Sequence, residues 1–179
     1  HTRFKCDWSS DVCSSDLLNP NELRFKSPVA NPTKIIGVPT NYQAHRDEMA
    51  ADKTISTQSQ NIPERGIDSV LVQGLFLKAN SSLVGPSEGI ATRFPDRRND
   101  HEAELGVIIG KTGSDIPEDK AYDYIVGYAL AMDMVVRGKE DRSFRKSIDT
   151  YSVLGPWLVT KDEIPDPQNL NFELKVNGE

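Results

Sequence analysis

The stretch His101-Glu102-Ala103-Glu104-Leu105-Gly106-Val107-Ile108-Ile109 decides how this chain is read. Val107, Ile108 and Ile109 are β-branched, and Gly110-Lys111 ends the run, so Glu102 to Ile109 reads as a buried strand. Side chains alternate along a strand, which puts Glu102 and Glu104 on one face and His101 on the other. Two carboxylates side by side repel. If buried they need a cation or a shared proton. A Glu-x-Glu pair also marks ordinary solvated faces, but a wholly solvated face would not run into Val-Ile-Ile.

A second strand is expected over Tyr124 to Val136. One face carries Gly127, Ala129, Ala131 and Asp133; the other carries Val126, Tyr128, Leu130, Met132 and Met134. The small residues suggest an open face, hence a cavity, with Asp133 at its end to complete a triad with the glutamates. Carboxylate oxygens are hard ligands. They suit Mg²⁺, Mn²⁺ or Ca²⁺ and argue against a zinc or copper site built from His and Cys.

These segments belong to an ordered series. Lys34-Ile-Ile-Gly-Val38, Asn41-Tyr42-Gln-Ala-His45 and Phe76-Leu-Lys78 come first. The glutamate run, Gly127-Tyr128, Asp133, Lys146-Ser147, Gly155-Pro156-Trp157 and Val176-Asn-Gly-Glu179 follow. In this order they resemble the catalytic domain of the fumarylacetoacetate hydrolase family. The resemblance implies a β-rich α+β fold, a mixed β-sandwich or roll. It implies a divalent metal, Mg²⁺ or Mn²⁺, on Glu102, Glu104 and Asp133. It implies a His45–Glu48 dyad that activates water or moves a proton, with Lys146 supporting developing negative charge. Lys78 and Arg137 fall where the family places substrate-facing groups.

The implied chemistry is hydrolysis of C–C bonds in acylpyruvate-like 2-oxo or 1,3-dicarbonyl acids. Decarboxylation or isomerisation of a related dicarboxylate, such as oxaloacetate or 2-hydroxyhepta-2,4-diene-1,7-dioate, would pass through the same enolate. A non-catalytic cation-binding protein of the same fold is the rival from another class. Two departures bear on the substrate. Pro39-Thr40 precedes Asn41-Tyr42 where many members have Gly-Leu. Arg137 is followed by Gly138-Lys139-Glu140, so a glutamine common after the metal aspartate is absent.

The residues also speak for themselves. Asn41 to Met49 has helix-forming composition, so His45 and Glu48 share a face and can hydrogen-bond, fixing the imidazole tautomer. The alternative is an exposed helical pair worth a few tenths of a kcal/mol, roughly. Lys146 lies in Arg142-Ser-Phe-Arg145-Lys146, and such a basic cluster is commonly a solvated loop.

Residues 1–17 have no hydrophobic period and no apolar stretch of a signal peptide. Asp7 to Asp16 is what one frame of a common sequencing adaptor would encode, so this segment is expected to be foreign to the fold. It holds both cysteines, and without them no disulfide or Cys–metal reading has support. Setting aside its two basic and three acidic residues leaves 19 basic and 24 acidic side chains. That mildly acidic balance has no basic patch for nucleic acid. No run of about eighteen apolar residues exists for a membrane-spanning helix. The expected setting is a cytoplasmic enzyme of aromatic-compound catabolism, homodimeric as the resemblance suggests, acting on a small acid.

Organisation follows from punctuation. Residues 18–33 read as a lead-in and 34–179 as a partial catalytic domain. Ala50 to Ser69 reads as a loop or lid, and Val70 to Lys78 as a strand. Pro117 to Tyr124 reads as a short helix capped by Ser114 or Asp115, and Gly155 to Thr160 as a strand. Phe172, Leu174 and Val176 alternate with polar residues, a half-buried strand leading into an Asn177-Gly178 hairpin turn. With the return strand beyond Glu179, the chain is expected to be cut short, with an open sheet edge, and to be inactive or to aggregate as written.

Overall fold

A computed structural model of the protein describes residues 18–44, 47, 51 and 74–179. Sheets dominate it. Its strands are β1 (Ile35–Gly37), β2 (Phe76–Lys78), β3 (Leu83–Val84), β4 (Asn99–Ile109), β5 (Ile125–Val136), β6 (Ser152–Leu154) and β7 (Val159–Thr160). One short helix, α1 (Arg142–Lys146), follows β5. β1 and β2 form an antiparallel pair. The second sheet has the order β3-β6-β5-β4, with β7 also pairing β5, and does not close into a barrel.

The backbone of the fold is the long antiparallel β4–β5 pair. Its register sets Glu102 opposite Asp133, Glu104 opposite Ala131 and Leu105 opposite Leu130. Opposed residues share a face. Both strands were therefore placed correctly from the sequence to within a few residues. The strand expected to be buried at Glu102–Ile109 is only partly so, since Val107 and Ile109 stay exposed. β4 is an edge strand, with β5 as its only strand partner among the described residues.

The face expected to be open is filled. A Cβ on Gly106 would meet the Leu154 side chain at 2.8 Å, and one on Gly127 would meet the Val159 carbonyl oxygen at 2.3 Å. The small residues make room for β6 and β7 rather than for a cavity. The core lies at the far end of β5, where Met134, Val136 and Tyr151 pack with Phe94, Met132 and Ile148.

The β1–β2 pair supplies a second layer. Phe76 and Lys78 are buried and Leu77 is exposed, the alternation of a one-sided strand. The Phe76 ring lies over Gly37, its register partner. A Cβ there would fall 2.1 Å from the ring. The lead-in residues are tied to the 80s: Phe25 N–H donates to Ser87 Oγ at 2.9 Å, and Asn80 Nδ2 donates to the Pro32 carbonyl at 2.8 Å.

Other expectations are corrected. Residues Glu118–Tyr124 form a 3₁₀ helix, and neither Ser114 nor Asp115 caps it; Ser114 donates instead to Asp115. The strand expected at Gly155–Thr160 is confined to Val159–Thr160. Phe172, Leu174 and Val176 form no strand and are exposed, because nothing described pairs with them. The turn itself is present. Asn177 and Gly178 both have positive φ, and Val176 and Glu179 exchange N–H to carbonyl bonds. Ala51, in the expected loop at Ala50–Ser69, is helical, and the rest of that loop lies outside the described residues. Of the strand expected at Val70–Lys78, residues 70–73 lie outside them and the strand itself is confined to Phe76–Lys78.

Candidate metal centre

The register of β4 and β5 builds the site. Glu102 faces Asp133 directly across the ladder, and Glu104 is its diagonal neighbour on the same face. One oxygen from each of the three carboxylates lies within 4.8 Å of the others, and all three side chains are partly buried. This is the triad expected from the sequence.

Three cations reach these acids from separate elements. Lys78 of β2 is buried; its Nζ donates to Asp133 and, at 2.8 Å, to the Tyr151 carbonyl. Lys146 Nζ donates to both Glu102 and Asp133. Arg137, just past β5, donates to Asp100 at 2.7 Å and to Glu102 at 3.2 Å. Lys146 is thus not part of a solvated loop. Asp141 caps α1 through the Ser143 N–H at 2.7 Å, and that single turn directs Lys146 inward. The Phe76 ring lies 5.5 Å from Lys146 Nζ.

Glu104 is different. Among the described residues it has no ion-pair partner. Burial, then the charges of Asp133 and Glu102, push its pKa up to about 7. The Tyr42 hydroxyl is its hydrogen-bond partner. Burial lowers the pKa of Lys78, against the pull of Asp133. Asp100 is also partly buried, which opposes its ionisation. Hydrogen bonds from Arg98 and Arg137 still hold its carboxyl below the usual range.

The donor set therefore fits a hard divalent cation. Among the described residues it has three carboxylate oxygens within 4.8 Å of one another, no sulfur or imidazole, and one carboxylate without an ion-pair partner. Glu102, Glu104 and Asp133 would hold it.

His45 and Glu48, the expected dyad, lie outside the described residues. Their neighbours Gln43 and Ala44 are helical, and Gln43 Nε2 donates to Asp47 at 2.8 Å. Lys78, Arg137 and Lys146, expected to face substrate, are all brought to the triad. Gly138-Lys139-Glu140, the departure noted above, is clasped by Arg97. Its guanidinium contacts both Glu140 oxygens and the Arg137 carbonyl, where a Cβ on Gly138 would not fit. Two contributors escaped the sequence reading. Asp100 shares the face of Glu102 by period two, so its signal was present. Tyr42 stood only in the motif at 41–45 with no role given to it, because its contact on β4 comes from 63 residues away.

The comparisons with known proteins point the same way. The family model described as "Fumarylacetoacetate (FAA) hydrolase C-terminal" matches residues 34–179. The maleylpyruvate hydrolase of Aquipseudomonas alcaligenes is 52% identical over 158 residues, which is 88% of this chain and 54% of that protein. The mitochondrial oxaloacetate tautomerase of Xenopus laevis is 36% identical, over 91% of this chain and 48% of the relative. Among solved structures, maleylpyruvate hydrolase from Sphingobium sp. SYK-6 in complex with manganese(II) and pyruvate matches with a TM-score of 0.59 at 37% identity. That match covers 79% of this chain and 44% of the other. The chain thus spans about half the length of these relatives.

Proposed function

The chain belongs to the fumarylacetoacetate hydrolase family, and from that premise we propose that it is the catalytic part of a divalent-metal-dependent hydrolase of acylpyruvate-like acids. Maleylpyruvate or a close analogue is the first substrate to test, given the relatives that act on it. The observation that carries the reading is the convergence of Glu102, Glu104 and Asp133, with Glu104 lacking an ion-pair partner among the described residues.

Bound there, Mg²⁺ or Mn²⁺ supplies Lewis-acid polarisation of the substrate's 2-oxo-carboxylate. His45, oriented by Glu48, takes a proton from water. The water oxygen bonds to the distal carbonyl carbon, and the C–C bond electrons pass to an enolate of the pyruvate half. A proton then goes to that enolate carbon, so the products are a carboxylic acid and a 2-oxo acid. Lys146 stabilises the enolate. Lys78 and Arg137 hold substrate carboxylate. All three cations now sit on the triad, where a divalent ion would replace part of their charge and leave their N–H groups for substrate.

A second reading, isomerisation or tautomerisation of a related dicarboxylate, is favoured by relatives of that kind. It needs the same enolate and the same residues. The proposal includes a homodimer and a cytoplasmic setting in the breakdown of aromatic compounds. It includes no nucleic acid and no membrane partner. Among the described residues no helix is long and apolar enough to cross a membrane.

The test is Mn²⁺- or Mg²⁺-dependent loss of maleylpyruvate, other acylpyruvates, oxaloacetate and a hydroxy-dienoate, with His45→Ala and Glu104→Ala alongside. Turnover abolished by chelation and by both substitutions is expected. Turnover that survives either substitution would overturn the assignment.

A further inference from the structure

We propose that Tyr42 is a positioning residue that aims Glu104 at the cation and ties residues 41–44 to the metal-bearing strand; this rests on the metal reading above. β4 is the edge of its sheet, so every other backbone N–H along it points away from β5. Leu105 is such a residue. Its N–H donates to the Tyr42 hydroxyl oxygen at 2.9 Å. That oxygen accepts the Leu105 N–H, so its own hydroxyl proton is directed elsewhere, and the carboxylate of the adjoining Glu104 is the acceptor it meets. One hydroxyl thus caps the edge N–H and binds the neighbouring carboxylate.

Two features hold the ring in place. Phe172 meets it edge-on, with the centroids 6.0 Å apart. Thr40 takes a positive φ of 49°, which β-branched residues rarely adopt, and this reverses the chain between β1 and Tyr42. A metal-ligating carboxylate needs an outer partner to fix its orientation; in the metal-free arrangement Asp133 and Glu102 are held by Lys78, Lys146 and Arg137. Among the described residues, Glu104 has Tyr42 alone. The ring also sits three residues before His45. The hydroxyl therefore links the strand that carries two metal ligands to the segment that carries the proposed base.

Tyr42→Phe deletes one oxygen from a half-exposed side chain and keeps the ring against Phe172. The full chain and this variant are titrated with Mn²⁺ at pH 8, following free Mn²⁺ by electron paramagnetic resonance. Melting of both metal-free proteins is recorded in parallel. The expected result is a fall in Mn²⁺ affinity of about 10- to 100-fold with metal-free melting unchanged. Equal Mn²⁺ affinity in the two proteins would overturn the role of Tyr42 and leave the metal centre standing. No Mn²⁺ binding by the unsubstituted protein would overturn both.

Discussion

The two faces of the β4–β5 pair are made by alternating residues of the same strands, yet they are stabilised in different ways. On one face Glu102, Glu104 and Asp133 meet Lys78 from β2, Lys146 from α1 and Arg137 from the end of β5. On the other, Leu105, Val107, Leu130 and Met132 are apolar. That face is packed near Met134 and Tyr151 and again at Tyr128, while Leu130 between them stays 59% exposed. The acidic face is thus the more tightly specified of the two. Glu102 and Asp133 answer cations brought from other elements, and among the described residues Glu104 has no ion-pair partner.

This difference can be broken from either side. Asp133→Ala gives the largest expected effect. It strips the buried Lys78 amine of its carboxylate and removes a metal ligand. Chemical denaturation should show a loss of about 3–5 kcal/mol, as for other half-deleted buried ion pairs. A loss below about 1 kcal/mol would mean that the amines are solvated, and the acidic face ordinary.

Gly127→Val tests how the acidic face is closed at its other end. The new side chain would strike the Val159 carbonyl and Leu158 and loosen β7. A destabilisation of about 1–3 kcal/mol by the same method is expected, the usual cost of overpacking. A neutral result would mean that β7 shifts freely.

Acidity probes the unmatched carboxylate. The pKa of Glu104 is raised to about 7 from an ordinary 4.5, so at lower pH a proton must leave before metal binds. Mn²⁺ affinity should fall by about tenfold per pH unit below 7 and level off above it. The sign for metal-free stability is opposite. The folded state keeps this proton where the unfolded chain has lost it, between about 4.5 and 7. Stability from this group is therefore full below that window and lost as pH rises through it. A flat Mn²⁺ affinity between pH 5.5 and 7 would remove Glu104 from the ligand set.

Leu130→Gln, on the apolar face, is the small effect. It should change stability by no more than about 0.5 kcal/mol and leave Mn²⁺ affinity alone. A large loss would show that this face is covered by something in the assembled protein.

How much of this was legible in the sequence follows the same division. Period-two alternation revealed the two long strands, the shared face of Glu102 and Glu104, and the place of Asp133. Those signals are local, and the register merely brought them together. The partners of the acids, Lys78, Arg137 and Lys146, were named only through the family resemblance, as groups for substrate rather than as partners of the acids. From composition alone Lys146 belonged to a solvated basic cluster, because the Asp141 cap that turns it inward is a single local contact. The run of small residues in β5 looked like a cavity, because nothing in that segment shows that Leu154 and Val159 arrive to fill the space. Phe172, Leu174 and Val176 had a strand's pattern and a hairpin turn after them. A pattern still makes no strand without a neighbour to bond.

The central claim is that the acidic face is a one-ion metal centre. Calorimetric titration with Mn²⁺ at pH 8 tests it directly, on the unsubstituted protein and on Glu102→Gln and Asp133→Asn. The account predicts one ion per chain, with binding lost in both variants while each remains folded. An ion bound equally well by the variants, or none bound by the unsubstituted protein, would contradict it.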